Sequence, residues 1–270
     1  MKRMIAAALS AWALSSVASA DTSAASEALT GKTCEVPADS AREAADQRLV
    51  DAAMRDFQHA GYDALAQHLD DLRNVLDHAP ACYPLIERRG EDIIVRDDMA
   101  DQTTMLALTT TAATQQRHAA IRSAENVYGS ASLLVGSYSN EMHRFDDAVS
   151  AIDRGLALQP SNQYLVLEKA TALGQLRRFD EQVGLLQAEL DSPDAALTLD
   201  RARFERNLGA ALIDLDRLDE AEAALNESIR LQPDNPAARN ELRYLAQIRA
   251  GQVPTMQTIM RAQPDPPLKH

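Results

Sequence analysis

The chain is poor in cysteine, in basic charge and in long apolar runs, and each shortage removes a class of protein. There are 2 cysteines among 270 residues, Cys34 and Cys82. They form no C-x-x-C and no Cys/His grouping at zinc spacing, which excludes thiol exchange and a zinc-built fold. The 27 basic residues are outnumbered by 40 acidic ones. With no basic stripe and no aromatic stacking platform, such a chain repels nucleic acid and anionic lipid. Six histidines (His59, His68, His78, His118, His143 and His270) fall in no H-x-x-x-H or H-E-x-x-H pattern. The spacing of the first three keeps them off one helical face. Asp214, Asp216 and Asp219 begin like a calcium loop but lack its glycine, and read as a solvated turn. There is no phosphate loop, no G-x-S-x-G and no dinucleotide fingerprint. No catalytic residue, metal or cofactor is expected.

The only extended apolar run stands at the start. Lys2 and Arg3 precede Ile5–Leu14, and Ala18-Ser19-Ala20 closes the segment ahead of Asp21. Basic start, apolar middle and small-residue end read as a secretory signal peptide over residues 1–20, too short to span a bilayer. Cleavage near Ala20 leaves 25 basic against 40 acidic residues, a formal charge of −15. The expected location is periplasmic or secreted, with no integral membrane segment in the mature chain. In an oxidising compartment an even cysteine count favours a Cys34–Cys82 bridge, worth roughly 3 to 4 kcal/mol in the chain-entropy model.

Residues 21–40 are rich in Ala, Ser and Thr and read as a flexible lead-in. Residues 41–125 read as an N-terminal helical region. Ala45, Leu49, Ala52, Ala53 and Phe57 form one helical stripe. Gly61 stops it, and Tyr62, Leu65, Leu69, Leu72 and Leu76 form a second stripe ending at Pro80. The hairpin so formed has the size of a degenerate repeat unit. Beyond it, Ile93-Ile94-Val95 fits either a short strand or a turn of buried helix. Met99 to Ala124 is expected to be helical, although its threonines weaken the propensity.

From residue 126 a phrase recurs: Arg144-Phe145-Asp146-Asp147-Ala148, Arg178-Phe179-Asp180-Glu181-Gln182 and Arg217-Leu218-Asp219-Glu220-Ala221. Phe145 to Phe179 is 34 residues and Phe179 to Leu218 is 39, one repeat plus five inserted residues. A period near 34 marks a solenoid of helix pairs. Small residues stand at Gly136, Ala170 and Gly209. Large ones open the second helix at Phe145, Phe179 and Leu218, and later core positions are Ile152, Leu186 and Leu225. Units end near Pro160, Pro193 and Pro233. On these residues the chain resembles the tetratricopeptide repeat over residues 126–250.

The fold class expected is therefore all-α, a helix-turn-helix repeat solenoid of about three units plus a capping helix, preceded by the N-terminal helical hairpin. Asp146, Asp180 and Asp219 are expected to cap free amides of each second helix. Gln182 departs from the usual Ala, and an insertion at Asp191–Asp200 is expected to bend or splay the superhelix. Ala237–Ala250 forms the cap, and residues 251–270 an extended tail carrying several prolines.

The resemblance implies a concave groove lined by the first helix of each unit, which binds a protein or peptide. Carried over singly, its positions are Leu133, Ser137 and Asn140, then Tyr164, Leu167 and Thr171, then Arg203, Arg206, Asn207 and Ala210, with Asn240 and Tyr244 in the cap. Arg203, Arg206 and Asn207 could together hold a carboxylate. The competing reading leaves them solvated or paired with Glu205 or Asp214. The family's two-carboxylate clamp needs Lys and Asn where this chain has Leu133 and Ser137, so that clamp is not present in full, and tail recognition of the cytosolic chaperone kind is excluded by motif and by compartment. The function expected is an exported adaptor, in envelope assembly, pilus biogenesis or secretion. The alternative is an accessory or enzymatic domain in residues 41–125, carried by convergent groups around Glu91, Asp92, Asp97, Asp98 and His118. Self-association through the solenoid ends is a third reading.

Overall fold

A computed structural model describes residues 38–84, 86–89, 92–96, 121–160, 162–192 and 200–252. The leader, Cys34, Glu91, Asp97, Asp98, His118, most of the Met99–Ala124 segment and residues 253–270 lie outside them.

The N-terminal hairpin forms as its stripes require. Helix α1 (Ser40–Ala60) starts on Asp39, whose carboxylate accepts from the amides of Ala41 and Arg42. It stops at Gly61, where φ is +69° and only glycine is unstrained. The return runs through α2 (Tyr62–Leu65), a 3₁₀ turn at Ala66–His68 and α3 (Leu69–Asp77). Val50, Ala53, Leu65, Leu72, Val75 and Leu76 form one buried cluster with Val127, Ala131, Leu134 and Val135 of the next helix. The hairpin is thus stacked on the array as a unit is on its neighbour.

The following segment is where the helical expectation fails. Ile93-Ile94-Val95 belongs to a strand, β2 (Asp92–Val95), antiparallel to β1 (Ile86–Arg89) and parallel to β3 (Ile121–Ser123). The helix expected over Met99–Ala124 therefore does not reach its end: Ile121–Ser123 are extended. The reason is local composition, since a β-branched Ile-Ile-Val run fits a pleated surface and β3 supplies it with a partner. The small sheet adds to a fold that is otherwise the expected helical repeat.

Unit one is α4 (Val127–Glu141) and α5 (Phe145–Leu158), unit two α6 (Gln163–Gln175) and α7 (Phe179–Asp191), unit three α8 (Arg201–Asp214) and α9 (Leu218–Leu231), and the cap α10 (Pro236–Arg249). Every first helix begins on an Asx residue, Asn126, Asn162, Asp200 or Asn235, whose side chain accepts from amides of the first turn. Second helices start differently. Arg144, Arg178 and Arg217 occupy the cap position and make no side-chain cap bond. Asp146, Asp180 and Asp219 lie inside the helix, so they complement its dipole and do not cap its amides, contrary to expectation. The next residue does the fastening: Asp147, Glu181 and Glu220 each pair with the arginine three residues before, the last two at 2.6 Å.

The turn within each unit is the same turn three times. His143, Arg177 and Asp216 have φ of 56°, 60° and 58°. The following amides of Arg144, Arg178 and Arg217 return to the carbonyls of Ser139, Leu173 and Leu212 at 2.8, 2.9 and 2.9 Å. These are left-handed helix terminations, built here without glycine.

Close packing within a unit depends on the small residue of the first helix. A Cβ on Gly136 would lie 2.5 Å from Ile152 Cγ1, and one on Gly209 2.6 Å from Leu225 Cγ. In unit two Ala170 and Leu186 share one buried cluster. Gln182 fits because Gly174 faces its amide, leaving 3.1 Å to where a Cβ would stand. The backbones of the first helices of units one and two approach closely, whereas those of units two and three meet through side chains, Val166 and Leu167 sharing a buried cluster with Phe204 and Leu208. The bend or splay expected from the insertion at that junction rests on residues 193–199, which lie outside the described residues. Asp200 N to Gln163 Oε1 (3.1 Å) and Arg201 to the Leu190 carbonyl (3.0 Å) bridge the junction. At the end, Leu245 enters the core and Leu242 and Ile248 pack beside it, while Arg239, Asn240 and Arg243 face water.

Two glycines test this account with opposite signs. Gly136→Ala drives a methyl into Ile152 and lowers stability by about 1–3 kcal/mol. Gly184→Ala, on a helix face with nothing within 4 Å, raises it by about 0.5–1 kcal/mol. Thermal melts of both variants beside the parent check the pair.

Candidate functional site

The first helices α4, α6 and α8 bring side chains from three units to one face. Asn140 of unit one donates to the Glu168 carbonyl at 3.0 Å and to its carboxylate at 2.7 Å. Burial raises the Glu168 carboxyl above its ordinary range, against the Asn140 hydrogen bond and the nearby charge of Arg203 in unit three, which both lower it. Asn140, Glu168 and Arg203 thus form a polar line running across all three units. Glu168 was not among the residues chosen from the sequence; the signal was there, since it follows Leu167 and precedes Thr171 by three on one helix.

The residues that were chosen divide. Thr171 is exposed and its hydroxyl bonds to the Leu167 carbonyl at 3.0 Å. Asn207 bonds back to the Arg203 carbonyl at 2.8 Å, and Arg203, Arg206 and Ala210 are half-buried on the same helix. Tyr164 is half-buried, and Tyr244 packs against the core edge. Leu167, at 6% exposure, packs among Val166, Leu186 and Phe204. Leu133 leans on the Ile152 and Leu165 cluster. These two side chains serve the interior, because apolar groups at the seam of adjacent helices gain more from packing than from facing water. Ser137 is engaged by Tyr62, oxygen to oxygen 2.7 Å. Asn240 accepts from Arg243 on the exposed side of the cap. Glu205 is taken by Arg201.

Tyr62 carries the N-terminal hairpin to the edge of this face. Its ring lies 5.0 Å from Phe57 and 6.3 Å from Tyr138. Burial raises its hydroxyl; the bond with Ser137 opposes that rise, and the nearby carboxylates of Glu168 and Glu141 add to it.

A second concentration of charge lies in residues 41–125, at positions the sequence reading did not choose. The Arg96 side chain is 0% exposed and donates to Glu43 Oε1 at 2.7 Å, Glu87 Oε2 at 2.6 Å and the Pro84 carbonyl at 3.1 Å. Its guanidinium sits 4.8 Å from the centre of the Tyr83 ring, whose hydroxyl donates to Glu43 at 2.7 Å. Arg89 completes the set at 2.5 Å from Glu43. Burial alone would raise Glu43, but the hydrogen bonds from Arg96, Arg89 and Tyr83 bring it down to about 2. Two arginines and two glutamates satisfy one another, which makes the cluster a clamp joining α1 to the strands and leaves no poised acid or base. Asp92, named in the enzymatic alternative, pairs with Arg122 at 2.6 Å. His68 binds Asp56 and His78 the Asn74 carbonyl, so the hairpin histidines do not converge. Among the described residues no group of three His, Cys, Asp or Glu is placed to hold a metal ion, and no helix is long and apolar enough to cross a membrane.

Loss of the clamp is measurable. Arg96→Ala leaves two buried carboxylates short of their counter-charge and lowers stability by about 3–5 kcal/mol. Because Glu43 is depressed from its usual 4.5 to about 2, its contribution is complete above pH 4.5 and is lost as pH falls towards 2. Acid titration of the tyrosine circular dichroism from the Tyr83–Tyr128 edge contact shows this loss, and Glu43→Gln removes that part of the pH dependence.

Comparison with known proteins follows the repeats. No family model matches the chain. RNA polymerase II-associated protein 3 of Homo sapiens and of Mus musculus is each 30% identical over 106 residues, covering 38% of this chain and 15% of the relative. The chain thus matches about one seventh of the length of those relatives. Similar solved structures include two tetratricopeptide domains. The first tetratricopeptide domain of human RPAP3 is 25% identical, with a TM-score of 0.40 over 46% of this chain and 94% of that one. The first such domain of Spaghetti (RPAP3), bound to the HSP90 peptide SRMEEVD, is 26% identical, with a TM-score of 0.37 over 44% and 93%.

Proposed function

We propose that the protein is an exported tetratricopeptide-repeat adaptor that holds a protein or peptide partner against the face formed by α4, α6 and α8. The observation that carries this is the line from Asn140 through Glu168 to Arg203. Polar side chains from three successive units are brought together on one face, although no single unit could assemble them. A solenoid supplies a long surface of this kind, and an extended peptide can lie along it with main-chain and side-chain contacts to several units at once. The Lys and Asn of the family's two-carboxylate clamp are replaced by Leu133, which leans inward, and Ser137, which is bonded to Tyr62. Recognition is therefore assigned to other positions, with Arg203, Arg206 and Asn207 offering donors for a carboxylate.

Export rests on the leader pattern of residues 1–20, and the location proposed is periplasmic, in envelope assembly, pilus biogenesis or secretion. The Cys34–Cys82 bridge belongs to the same proposal. Cys82 follows α3 closely and, among the described residues, no cysteine is free, so a bridge would fasten the lead-in to the hairpin. Alkylation of the exported protein checks it: no thiol is labelled before reduction and both are labelled after it. Labelling without reductant removes the bridge.

The groove is tested by affinity capture from envelope extract with the full mature chain beside an Arg203→Glu/Arg206→Glu variant. The expected outcome is a protein retained by the parent and lost by the variant, with unchanged helical circular dichroism. Equal retention moves the binding surface away from the first helices.

A further inference from the structure

Among the described residues one large apolar side chain reaches into water, Met142 at 41% exposure. It follows Tyr138 by four residues at the end of α4, so the two lie side by side. The half-buried Tyr138 ring meets Tyr62 at 6.3 Å, and Tyr62 meets Phe57 at 5.0 Å. The four make an aromatic and apolar strip that crosses from unit one to the N-terminal hairpin. Two exposed acids border it, Asp63 and Glu141, and the charge of Glu141 reaches the Tyr62 hydroxyl. The arginine of the adjoining turn, Arg144, is held by Asp147. The array brings a second segment to this edge. The left-handed turn that ends α4, α6 and α8 occurs a fourth time after α10: Gly251 has φ of 68°, and the amide of Gln252 returns to the Gln247 carbonyl at 3.0 Å. First helices of a solenoid point the same way, and α10 stacks on α8 and α9. The chain therefore passes Gln252 on the edge that carries Met142.

We propose that Pro264-Asp265-Pro266-Pro267-Leu268 of this same chain docks on the strip of Phe57, Tyr62, Tyr138 and Met142, with Lys269 against Glu141 and Asp63. Reach, chemistry and charge select this occupant. Helices packed side by side put α4 about 30 Å from α10, three first-helix steps away. Residues 253–263 can span about 34 Å as polyproline II, which delivers Pro264 to the strip. A P-x-x-P segment lies on aromatic rings at low cost in entropy, because its φ angles are set beforehand, and Pro264 and Pro267 have that spacing. Residues 253–270 hold Arg261 and Lys269 against Asp265 alone, a formal charge of +1 in a chain of −13, so this is a segment that an acidic edge attracts. A second copy is a poorer occupant, since the same edge facing itself would set Glu141 and Asp63 against their like. The docking stands apart from the peptide-binding reading above: the chain carries its own occupant for this edge, and a partner that reaches the strip must displace it.

Carbodiimide coupling of amines to carboxylates in the full mature chain tests this, because Lys32, Lys169 and Lys269 are the lysines after residue 20. Lys169, 2.6 Å from Asp153, supplies the control link. Expected are links from Lys269 to Glu141 or Asp63, formed within one copy when isotope-labelled and unlabelled chains are mixed. Met142→Ser lowers their yield about tenfold, the weight of one apolar contact, and Pro266→Ala/Pro267→Ala lowers it as well. Both variants keep the Lys169–Asp153 link and melt as the parent does. Links from Lys269 to the acids of α9 or α10, links that form only between copies, or no Lys269 link beside an intact control overturn the docking. So does an equal yield in Met142→Ser, which leaves charge as the whole attraction and removes the strip from it.

Discussion

The structure depends on one close approach, that of the two helices within each unit at Gly136, Ala170 and Gly209. Where the first helix carries no side chain or only a methyl, the second can press Ile152, Leu186 or Leu225 against its backbone. That contact sets the angle at which the pair leaves the unit, and hence which side chains reach the next one. Leu186 and Leu225 then join the cluster shared by units two, three and the cap, and Ile152 joins one shared by units one and two. A change at the small residue therefore does not stay within its unit. It alters how every later first helix is presented, and with it the face on which Asn140, Glu168 and Arg203 meet.

Charge reinforces this geometry from outside. Each second helix opens with an arginine fastened to the acid three residues on, and the second and third of these arginines also sense an acid of the unit before, Arg178 that of Asp146 and Arg217 that of Asp180. The series finishes at the cap, where Arg249 pairs with Asp219 and Glu222, both at 2.6 Å. Exposed pairs of this kind each contribute a fraction of a kcal/mol, about 0.2–1. Their value lies in register: a unit slipped along its neighbour would place acid against acid. At the other end the buried Arg96 cluster does a different task. It ties α1 to the strands, which make few backbone contacts with the helices, and breaking it costs far more than any surface pair.

How much was legible in the sequence follows from which interactions are local. Helix limits, the hairpin stop at Gly61 and the repeat spacing depend on residues three to thirty-four apart, and all were readable. The error over Asp146, Asp180 and Asp219 came from knowing that an acid stands near a helix start without knowing that the left-handed turn puts the cap at the arginine two positions before each of them. The strands were unreadable for a different reason. Ile93-Ile94-Val95 is consistent with two structures; of its two partners Ile86–Arg89 is local, but Ile121–Ser123 lies across more than twenty residues of chain. Glu43, Glu87, Arg89 and Arg96 are likewise spread over fifty residues, and only the fold shows that they are one group.

Leu167 and Glu168 carry the same lesson into the site. Chosen by position, Leu167 turned out to be core; Glu168, one residue on and rotated by about 100° on the helix, is the residue that faces Asn140. A repeat alignment fixes which helix lines a surface far better than which side chain within a turn does, because neighbouring positions differ by a rotation that small changes in packing can absorb. What singles out Glu168 is physical. It is a carboxylate drawn from water by the stacking of two units, with one hydrogen bond to hold it. Stacking that serves stability would favour an apolar residue at such a place. The charge is held there by the hydrogen bond from Asn140 and by the nearby charge of Arg203, so three units meet at one carboxylate.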